Sequence, residues 1–348
     1  MYRDFRSDTV TQATPAMRKA MMEAEVGDDI LGEDPTVSKL EAISAALFGK
    51  EAALLTVSGT MANQLAIMSL TQPGDEIILG QETHIYNLEA GALAALGGVQ
   101  ARPVPSRRGR FAAGDVKQAI RSRGVQSPIS RVLCLENTYD LNRGFPLPPD
   151  YQAEMAQLAR DNGLKIYLDG ARIFNAATAL KADLPQLARD VDALQFCLTK
   201  GLAAPFGSML LGSREFIDKA RWLKQRIGGG MRQAGHMAAA GILALETMQD
   251  RLEQDHEHAL RLAKGLAAID QRLVDVDLVK TNVVQLDFRP LSIGAATVVE
   301  TLLEQQIKVK PVGPYACRMI THWGITAADV DAAIVAVKKI IVDEGHLR

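Results

Sequence analysis

Polar side chains follow several apolar runs of this chain, at the points where the strands of an α/β sheet would end. In chain order they are Ser58, Gly59 and Thr60, then His84, then Asp169 with Arg172 close behind, and then Lys200. Ligands bind at the carboxyl ends of strands in open α/β sheets. Taken singly, each feature has a structural explanation, such as a helix N-cap at Ser58 or a salt bridge between Asp169 and Arg172. Taken together, they form one chemical set.

That set matches what pyridoxal phosphate needs from a protein. The cofactor requires a lysine amine to form an imine, an acid that keeps its ring nitrogen protonated, and an anion site for its phosphate. Lys200 and Asp169 supply the first two. The turn Ser58 to Thr60 opens a predicted helix at Met61, and a helix N-terminus with glycine and hydroxyls suits a phosphate. His84 supplies a flat ring to lie against the cofactor ring.

The elements that must position these residues are visible as short apolar runs between helical stretches. The runs that predict strands are 51–57, 75–80, 131–137, 164–170 and 193–199. They are nearly continuous in apolar residues, which is typical of strands covered by helices on both faces. A helix with proline near its start and glycine after its end is predicted at 149–162. We therefore predict an α/β fold with a mostly parallel central sheet.

From about residue 235 the pattern changes. A long helical run, reaching residue 268, precedes predicted strands and helices in the order 281–288, 295–306, 307–312, 317–322 and a closing helix from Ala327. Chains of this size usually divide into two domains. We predict a large α/β domain of residues 1–240 and a smaller α+β domain of residues 241–348.

The composition excludes several classes of function. The 348 residues carry 39 basic and 41 acidic side chains, and the resulting net charge of −2 gives no electrostatic footprint for nucleic acid or membrane. The densest basic stretch, 102–110, contains proline and glycine and is predicted to be a solvated loop. No apolar run approaches the ~20 residues that a membrane helix needs, and the N-terminus lacks a signal-peptide pattern. We predict a soluble protein.

The cysteines and histidines indicate neither disulfides nor a metal site. Cys134, Cys197 and Cys317 are too few and too scattered for a disulfide framework or a metal knuckle, and each lies in an apolar run. We predict three buried thiols in a reducing cytoplasm. His256 and His258 are two apart on a predicted helix and cannot share a face, so we predict no metal and expect both to be solvated.

Longer motifs resemble those of a known family. They are RSDTVTQAT (6–14), VGDDILGEDPTV (26–37), KEAALLTVSGTMANQ (50–64), LDGARIFNA (168–176), CLTKGLAAPFGSMLLG (197–212) and GGGMRQAG (228–235). In this order they are similar to the low-specificity L-threonine aldolases, which are fold-type-I pyridoxal phosphate enzymes of the β-eliminating lyase group. A shorter similarity, ACRMITH, lies at 316–322.

The resemblance implies a role for each matching residue. Lys200 would be the Schiff-base lysine, Asp169 the partner of the ring nitrogen, and His84 the histidine stacked on the ring. Ser58, Gly59 and Thr60 would form the phosphate cup. Ser7, Arg172 and Arg318 would hold the substrate carboxylate, with Arg172 also near the ring hydroxyl, so that the N-terminal segment contributes to the substrate site.

The resemblance also implies an assembly. Arg232 matches an arginine that reaches the cofactor phosphate of a neighbouring subunit in the family, so the active sites would lie across a dimer interface. The three glycines before Met231 match the family too closely for a mere flexible turn to be favoured. We expect a homo-oligomer, a tetramer of this chain, with a small amino-acid substrate as its other partner.

Two positions depart from the family pattern. Tyr139 stands where the family usually has a histidine near the substrate β-hydroxyl, and Leu31 stands where it usually has a tyrosine. An unperturbed tyrosine has a pKa of about 10, so it accepts a proton near neutral pH less readily than histidine does. These changes affect the identity of the substrate and of the base, which could be Tyr139, a water that it holds, or His84.

The function that the resemblance implies is retro-aldol cleavage of L-threonine, L-allo-threonine or a related β-hydroxy-α-amino acid to glycine and an aldehyde. The alternative is another lyase reaction on the same scaffold, either β-elimination or cleavage of a bulkier substrate such as phenylserine. Loss of the tyrosine at position 31 would make room for such a side chain. A non-catalytic module that binds pyridoxal phosphate is disfavoured by the retained lysine, aspartate and arginines.

Overall fold

The structure is a computed structural model that describes residues 2–139 and 142–343. Met1, residues 140–141 and residues 344–348, which the predicted domains include, lie outside the described part. The strands are β1 (Arg3–Asp4), β2 (Ala52–Thr56), β3 (Glu76–Gly80), β4 (Gln100–Val104), β5 (Ser130–Glu136), β6 (Lys165–Asp169), β7 (Ala193–Cys197), β8 (Ser208–Gly212), β9 (Val283–Asp287), β10 (Ile307–Lys308), β11 (Lys310–Gly313) and β12 (Ala316–Ile320).

The helices alternate with these strands through the first part of the chain. They are α1 (Pro15–Glu23), α2 (Pro35–Phe48), α3 (Gly59–Leu70), α4 (His84–Asn87), α5 (Ala92–Ala95), α6 (Ala113–Ala119), α7 (Pro149–Asp161), α8 (Ile173–Leu180), α9 (Leu184–Ala188), α10 (Arg214–Arg226), α11 (Gly235–Thr247), α12 (Leu252–Ile269), α13 (Ala295–Glu304) and α14 (Ala327–Asp343). No helix within the described ranges combines the length and the apolarity that crossing a membrane would require.

Seven strands form the central sheet, in the order β2-β8-β7-β6-β5-β3-β4. Strands β3 to β7 are parallel to their neighbours within that group, and β8 runs antiparallel to both β2 and β7. All five predicted strands are present, so the mostly parallel α/β fold is confirmed. The sequence did not reveal β4 and β8.

Both faces of the central sheet are buried, which explains why its strands read as continuous apolar runs. Side chains alternate between the faces: Val132 and Cys134 of β5 belong to one apolar cluster, and Leu133 and Leu135 to another. Helices α3 and α10 contribute residues to the first cluster, and α2, α7, α8 and α11 to the second. The candidate site lies at the carboxyl ends of these strands.

Two expectations about this part of the chain were wrong. The stretch 102–110 begins inside β4, where Arg102 and Pro103 pair with β3, so only its later part is a loop. The predicted long helix after residue 235 is broken between α11 and α12.

His256 was also misjudged. It is partly buried, and its Nε2 lies 3.2 Å from Asn175 Nδ2. Burial lowers the pKa of His256 to about 4. His258 is partly buried too, rather than solvated. The three cysteines are free and buried.

The C-terminal part has its own apolar cluster, built on the antiparallel sheet β11-β12-β9 and helices α12, α13 and α14. The N-terminal segment is attached to it. Strand β1 pairs with β10, Phe5 is wholly buried in the C-terminal cluster, and the Ile320 N–H donates to the Phe5 carbonyl over 2.8 Å. Because residues 3–5 are fixed in this way, Ser7 and Asp8 are carried to the edge of the central sheet.

Candidate active site

A cavity of about 170 Å³ lies at the carboxyl ends of the central strands. The predicted residues that line it are Ser58, Gly59, Thr60, His84, Asp169, Arg172 and Lys200. They come from the ends of β2, β3, β6 and β7, which the sheet order brings to one edge. The structure therefore brings together the residues that the sequence singled out for cofactor binding, except Arg232.

Asp169 ends β6 and is almost wholly buried, at 3% exposure. Its Oδ1 accepts hydrogen bonds from Gln195 Nε2 at 2.5 Å and from the Ala171 N–H at 3.0 Å, and its Oδ2 accepts one from Asn63 Nδ2 at 2.9 Å. All three partners are donors, and the two oxygens of a carboxylate can accept about four hydrogen bonds. Asp169 therefore has acceptor capacity left for one more N–H.

The N-terminus of α3 faces the same cavity. Ser58 is its N-cap, and its Oγ accepts from the Met61 N–H at 3.2 Å. The first N–H groups of a helix have no intrahelical partner, so those of Gly59 and Thr60 are directed toward the cavity mouth. Gly59 is required by packing, since a Cβ there would come 2.8 Å from Cys197 Sγ. The arrangement suits an anion.

His84 begins α4 and is held at two points. Its backbone N–H donates to Glu136 Oε2 at 2.6 Å, and its Nδ1 lies 2.9 Å from Glu89 Oε1. His84, Glu89 and Asp169 offer ligand atoms within 4.8 Å of one another, a spacing that a metal ion could use. Asn63 Nδ2 donates to both carboxylates, however, so an N–H group already occupies the position between them. The absence of a metal stays a prediction.

Lys200 stands in the turn that follows β7. Its backbone carbonyl accepts from Thr11 Oγ1 at 3.0 Å and from the Ala203 N–H at 2.9 Å. Thr11 belongs to the N-terminal segment, so that segment fixes the turn from which the lysine side chain extends. The Lys200 charge also acts on Asp8 nearby, where it helps to lower the pKa of the carboxyl.

Arg172 is buried and makes two hydrogen bonds to Asp8, from Nη2 to Oδ1 at 2.6 Å and from Nε to Oδ2 at 2.7 Å. Burial alone would raise the pKa of Asp8, but Arg172, Lys200 and His322 together hold it well below its usual range. Ser7 precedes Asp8, and its Oγ accepts from the Thr9 N–H. Arg318 is buried on β12 and donates from Nη2 to the Arg6 carbonyl at 2.9 Å. Residues 6–8 thus contact both Arg172 and Arg318.

Ser7 and Arg318 are not among the residues that line the cavity, and neither are Tyr139, Leu31 and Arg232. Tyr139 is 1% exposed, packs edge-on against Phe111, and donates its hydroxyl to Glu82 Oε2 at 2.6 Å. Burial, followed by the hydrogen bond to Glu82, raises the pKa of the Tyr139 phenol far above its ordinary value. A phenol in this state does not accept a proton near neutral pH. The geometry therefore favours His84 over Tyr139 as the base, and the identity of the base stays a prediction.

Arg232 and Leu31 are on the outer surface of the same chain. Leu31 is 66% exposed, and the Arg232 side chain donates from Nη1 to Asp28 Oδ2 at 2.6 Å. Their segments are joined by the Asp29 N–H, which donates to the Arg232 carbonyl at 2.9 Å. Within one subunit, neither residue contributes to the cavity, so a role for either would have to be in a neighbouring subunit's site.

Sequence reasoning missed several residues that the site depends on. Asp8 and Asn63 stand inside motifs that carried the family resemblance, but neither was singled out. Gln195 is a polar residue within an apolar strand, and that anomaly was a usable signal. Glu89 gave no signal in the sequence, because its partners come from α3 and α4 and meet it only in the folded chain.

Comparison with known proteins gives matches over most of the chain. The family model described as Beta-eliminating lyase matches residues 4–289. A probable low-specificity L-threonine aldolase 2 of Arabidopsis thaliana is 40% identical over 342 residues, which cover 97% of this chain and 96% of that protein. A low specificity L-threonine aldolase of Escherichia coli strain K12 is 38% identical over 325 residues, covering 93% of this chain and 94% of that protein.

Solved structures show the same fold. The threonine aldolase of Leishmania major superposes with a TM-score of 0.83 at 20% identity, covering 97% of this chain and 99% of that chain. A structure of SPT with PLP superposes with a TM-score of 0.77 at 16% identity, covering 99% of this chain and 89% of that one. The predicted fold type and family are confirmed, and the chain belongs to the beta-eliminating lyase family.

Proposed function

We propose that this protein is a pyridoxal phosphate-dependent aldehyde-lyase that cleaves L-threonine, L-allo-threonine or a related β-hydroxy-α-amino acid to glycine and an aldehyde. The observation that carries the proposal is the buried Asp169 carboxylate, which shares one cavity with Lys200, His84 and the N-terminus of α3. The names of the relatives that are 38–40% identical over nearly the whole chain support the same reaction.

The cavity residues fit the cofactor. Asp169 accepts from three donors and has acceptor capacity left for a ring N–H. The α3 N-terminus offers backbone N–H groups to a phosphate, and Gly59 lets this turn pack against Cys197. Lys200 would carry the cofactor covalently, and His84 would lie on the ring. When bound, pyridoxal phosphate supplies an electron sink for a bond broken beside the substrate amine.

The chain's own residues would orient the substrate. Arg172 and Arg318 are buried cations, and both contact the segment 6–8, which also presents the Ser7 hydroxyl. A planar guanidinium binds a carboxylate at two points, so such a pair fixes the amino acid in one orientation. We propose that these three residues hold the substrate carboxylate and so align the bond that breaks.

A group near the β-hydroxyl must accept its proton. The hydrogen bond of Tyr139 to Glu82 and its raised pKa argue against Tyr139 in this role. His84 lines the cavity and is partly exposed to it, so its ring, or a water bound to it, remains for the task.

The direct experiment is a product assay. Purified protein is incubated with L-threonine, L-allo-threonine, phenylserine and serine, and glycine, aldehyde and keto acid are measured. Glycine and aldehyde in equal amounts support aldol cleavage, whereas keto acid without glycine would indicate β-elimination. Borohydride reduction followed by peptide mapping tests Lys200, and Lys200→Ala is the matched control. Label on a different lysine would refute the assignment.

We also propose that the active sites are shared between subunits of a homo-oligomer, a tetramer built from dimers. Arg232, Asp28 and the exposed Leu31 form one surface group, available to a second copy of the chain.

Mixing variant subunits tests whether the active site is shared. Lys200→Ala and Arg232→Ala subunits should each be inactive alone. Equal mixing should restore about a quarter of the wild-type activity, since half the dimers are then hybrids with one intact site of two. No recovery on mixing would contradict a shared site.

The division into domains and the cellular location stay proposals. The boundary predicted at residue 240 falls within α11, whose buried side chains pack with the large cluster, so we propose that the smaller domain begins near α12 and takes in residues 3–5. Three buried free thiols are compatible with a reducing cytoplasm. Limited proteolysis and cell fractionation would test the two proposals.

A further inference from the structure

Glu89 is a buried acid with a full set of donors around it. Its side chain has no exposed surface. Its Oε1 accepts from Asn63 Nδ2 at 2.6 Å and lies 2.9 Å from His84 Nδ1, and its Oε2 accepts from Gln64 Nε2 at 2.6 Å. A buried carboxylate is costly unless it is satisfied by such donors, so this one serves a purpose in the fold or in the chemistry.

The protons of this network can be assigned one by one. Asn63 accepts the Tyr167 hydroxyl on Oδ1 at 2.7 Å, which fixes its amide orientation. Its two N–H protons then go to Glu89 and to Asp169. An ionised carboxylate has no proton to give, so the His84 Nδ1 beside it must carry the hydrogen. In a neutral imidazole this leaves Nε2 as the only ring acceptor.

We propose that Glu89 is a positioning residue, which fixes the Nδ1–H form of His84 so that Nε2 can take the proton of the substrate β-hydroxyl. The inference rests on the proposed aldol cleavage. In that step the O–H proton moves to Nε2, and the O–H electron pair forms the aldehyde C=O. The electron pair of the broken carbon–carbon bond stays on the glycine fragment. Glu89 then faces the imidazolium across the same hydrogen bond and stabilises its charge.

The network also joins Glu89 to Asp169. A single amide, Asn63 Nδ2, bridges the Glu89 and Asp169 carboxylates. The position of the His84 ring is therefore set relative to the same acid that faces the cofactor ring nitrogen. A merely structural acid at position 89 would not require a defined histidine proton, and this difference makes the proposal testable.

Glu89→Gln separates the two possibilities. The carboxamide oxygen would stay at the position that faces Asn63 and His84, because the N–H groups of both point there, so the variant keeps the hydrogen bond but removes the charge that stabilises the protonated His84 ring. We expect kcat/KM for L-threonine cleavage to fall by about tenfold or more, the usual effect of losing a hydrogen bond to a charged group. Exchange of the glycine α-proton in D₂O does not involve a β-hydroxyl, and we expect it to stay within about threefold. Equal losses in both reactions would mean a structural role.

The matched control is Glu82→Gln, which neutralises an exposed acid two residues before His84, bound to Tyr139 and Ser106. We expect it to leave both rates within about threefold, as for surface changes in general. An equal loss of cleavage in this variant would overturn the assignment to Glu89.

A second measurement uses the wild-type protein and does not depend on activity or on how Glu89→Gln folds. The chain has six histidines, so ¹⁵N-histidine NMR of the wild-type holoenzyme can resolve the ring nitrogens, with His84→Phe assigning the signal. Hydrogen on Nδ1 of His84 is the expected result, and hydrogen on Nε2 would overturn the proposal. If the wild type cleaves no β-hydroxy amino acid, the proposed function fails, but this spectrum still decides whether Glu89 fixes the ring.

Discussion

Asp8 and Arg172 form a two-point ion pair across 164 residues of chain, with Oδ1 on Nη2 at 2.6 Å and Oδ2 on Nε at 2.7 Å. Asp8 is wholly buried and Arg172 nearly so. The pair joins the N-terminal segment, which is anchored on the C-terminal sheet, to the end of β6 in the central sheet. The position of Arg172 in the cavity therefore depends on how the first eight residues are held.

Asp8→Asn should impair substrate binding. The variant keeps the size of the side chain but removes the charge that orients the guanidinium, and hydrogen bonds to charged groups contribute about 1.5–3 kcal/mol. We expect KM for L-threonine to rise about tenfold or more, measured by steady-state kinetics. Asp4→Asn is the control, because it removes a partly exposed pair with Arg6 in the same segment and should change KM less than about threefold. Equal effects of the two variants would argue against a special role for Asp8.

Tyr139→Phe should leave catalysis nearly intact. The hydroxyl donates to Glu82, and Tyr139 does not line the cavity, so its loss removes one hydrogen bond at a cost of about 1 kcal/mol in stability. We expect kcat/KM and the preference between L-threonine and L-allo-threonine to change less than about threefold.

His84→Phe is the contrasting variant for this test. It retains a flat ring but has no proton acceptor, and it should lower kcat by about 10²-fold. The result that would restore Tyr139 as the base is a loss in Tyr139→Phe as large as the loss in His84→Phe.

The sequence predicted the central strands and the cavity residues by the same rule. Buried parallel strands are continuous apolar runs, and the polar residue that ends such a run lies at the ligand edge, as Asp169 and Lys200 do. Strand β4 was hidden because it carries Arg102 and Pro103 at the sheet edge. Strand β8 was missed because its apolar run is only three residues long, between Ser208 and Gly212.

The remaining features depend on tertiary contacts. Glu89 and Asn63 acquire their roles only when α3, α4 and β6 meet. Tyr139 was misplaced because its alignment with a family histidine gives its position in the chain but not the direction of its side chain. In the fold that side chain packs on Phe111 and reaches Glu82. The sequence alone does not show which way this side chain points.

Lys224→Met should destabilise the surface group around Arg232. Lys224 is 3% exposed and its Nζ lies 3.1 Å from Asp29 Oδ2, which is also buried. Removing the ammonium leaves an uncompensated carboxylate, and such changes cost about 3–5 kcal/mol. Urea unfolding at a fixed protomer concentration would measure the loss. The double variant Lys224→Met/Asp29→Asn should recover most of it, and a double variant no more stable than the single would show that the ion pair is not the cause.

His256 should make stability depend on pH. Burial lowers its pKa from the ordinary 6.5 to about 4, so the unfolded chain binds one more proton than the folded chain between these values. Above pH 6.5 His256 is neutral in both the folded and the unfolded chain, and the free energy of unfolding has its full value. It decreases as the pH falls towards 4, by up to about 3 kcal/mol.

Urea unfolding at pH 7, 6 and 5 would show the loss. In His256→Gln the loss should be smaller, because glutamine does not titrate. The control is His236→Gln, at an exposed position of α11, whose free energy of unfolding should depend on pH as that of the wild type does. If wild type and His256→Gln lose stability in parallel, the titrating group is a different one.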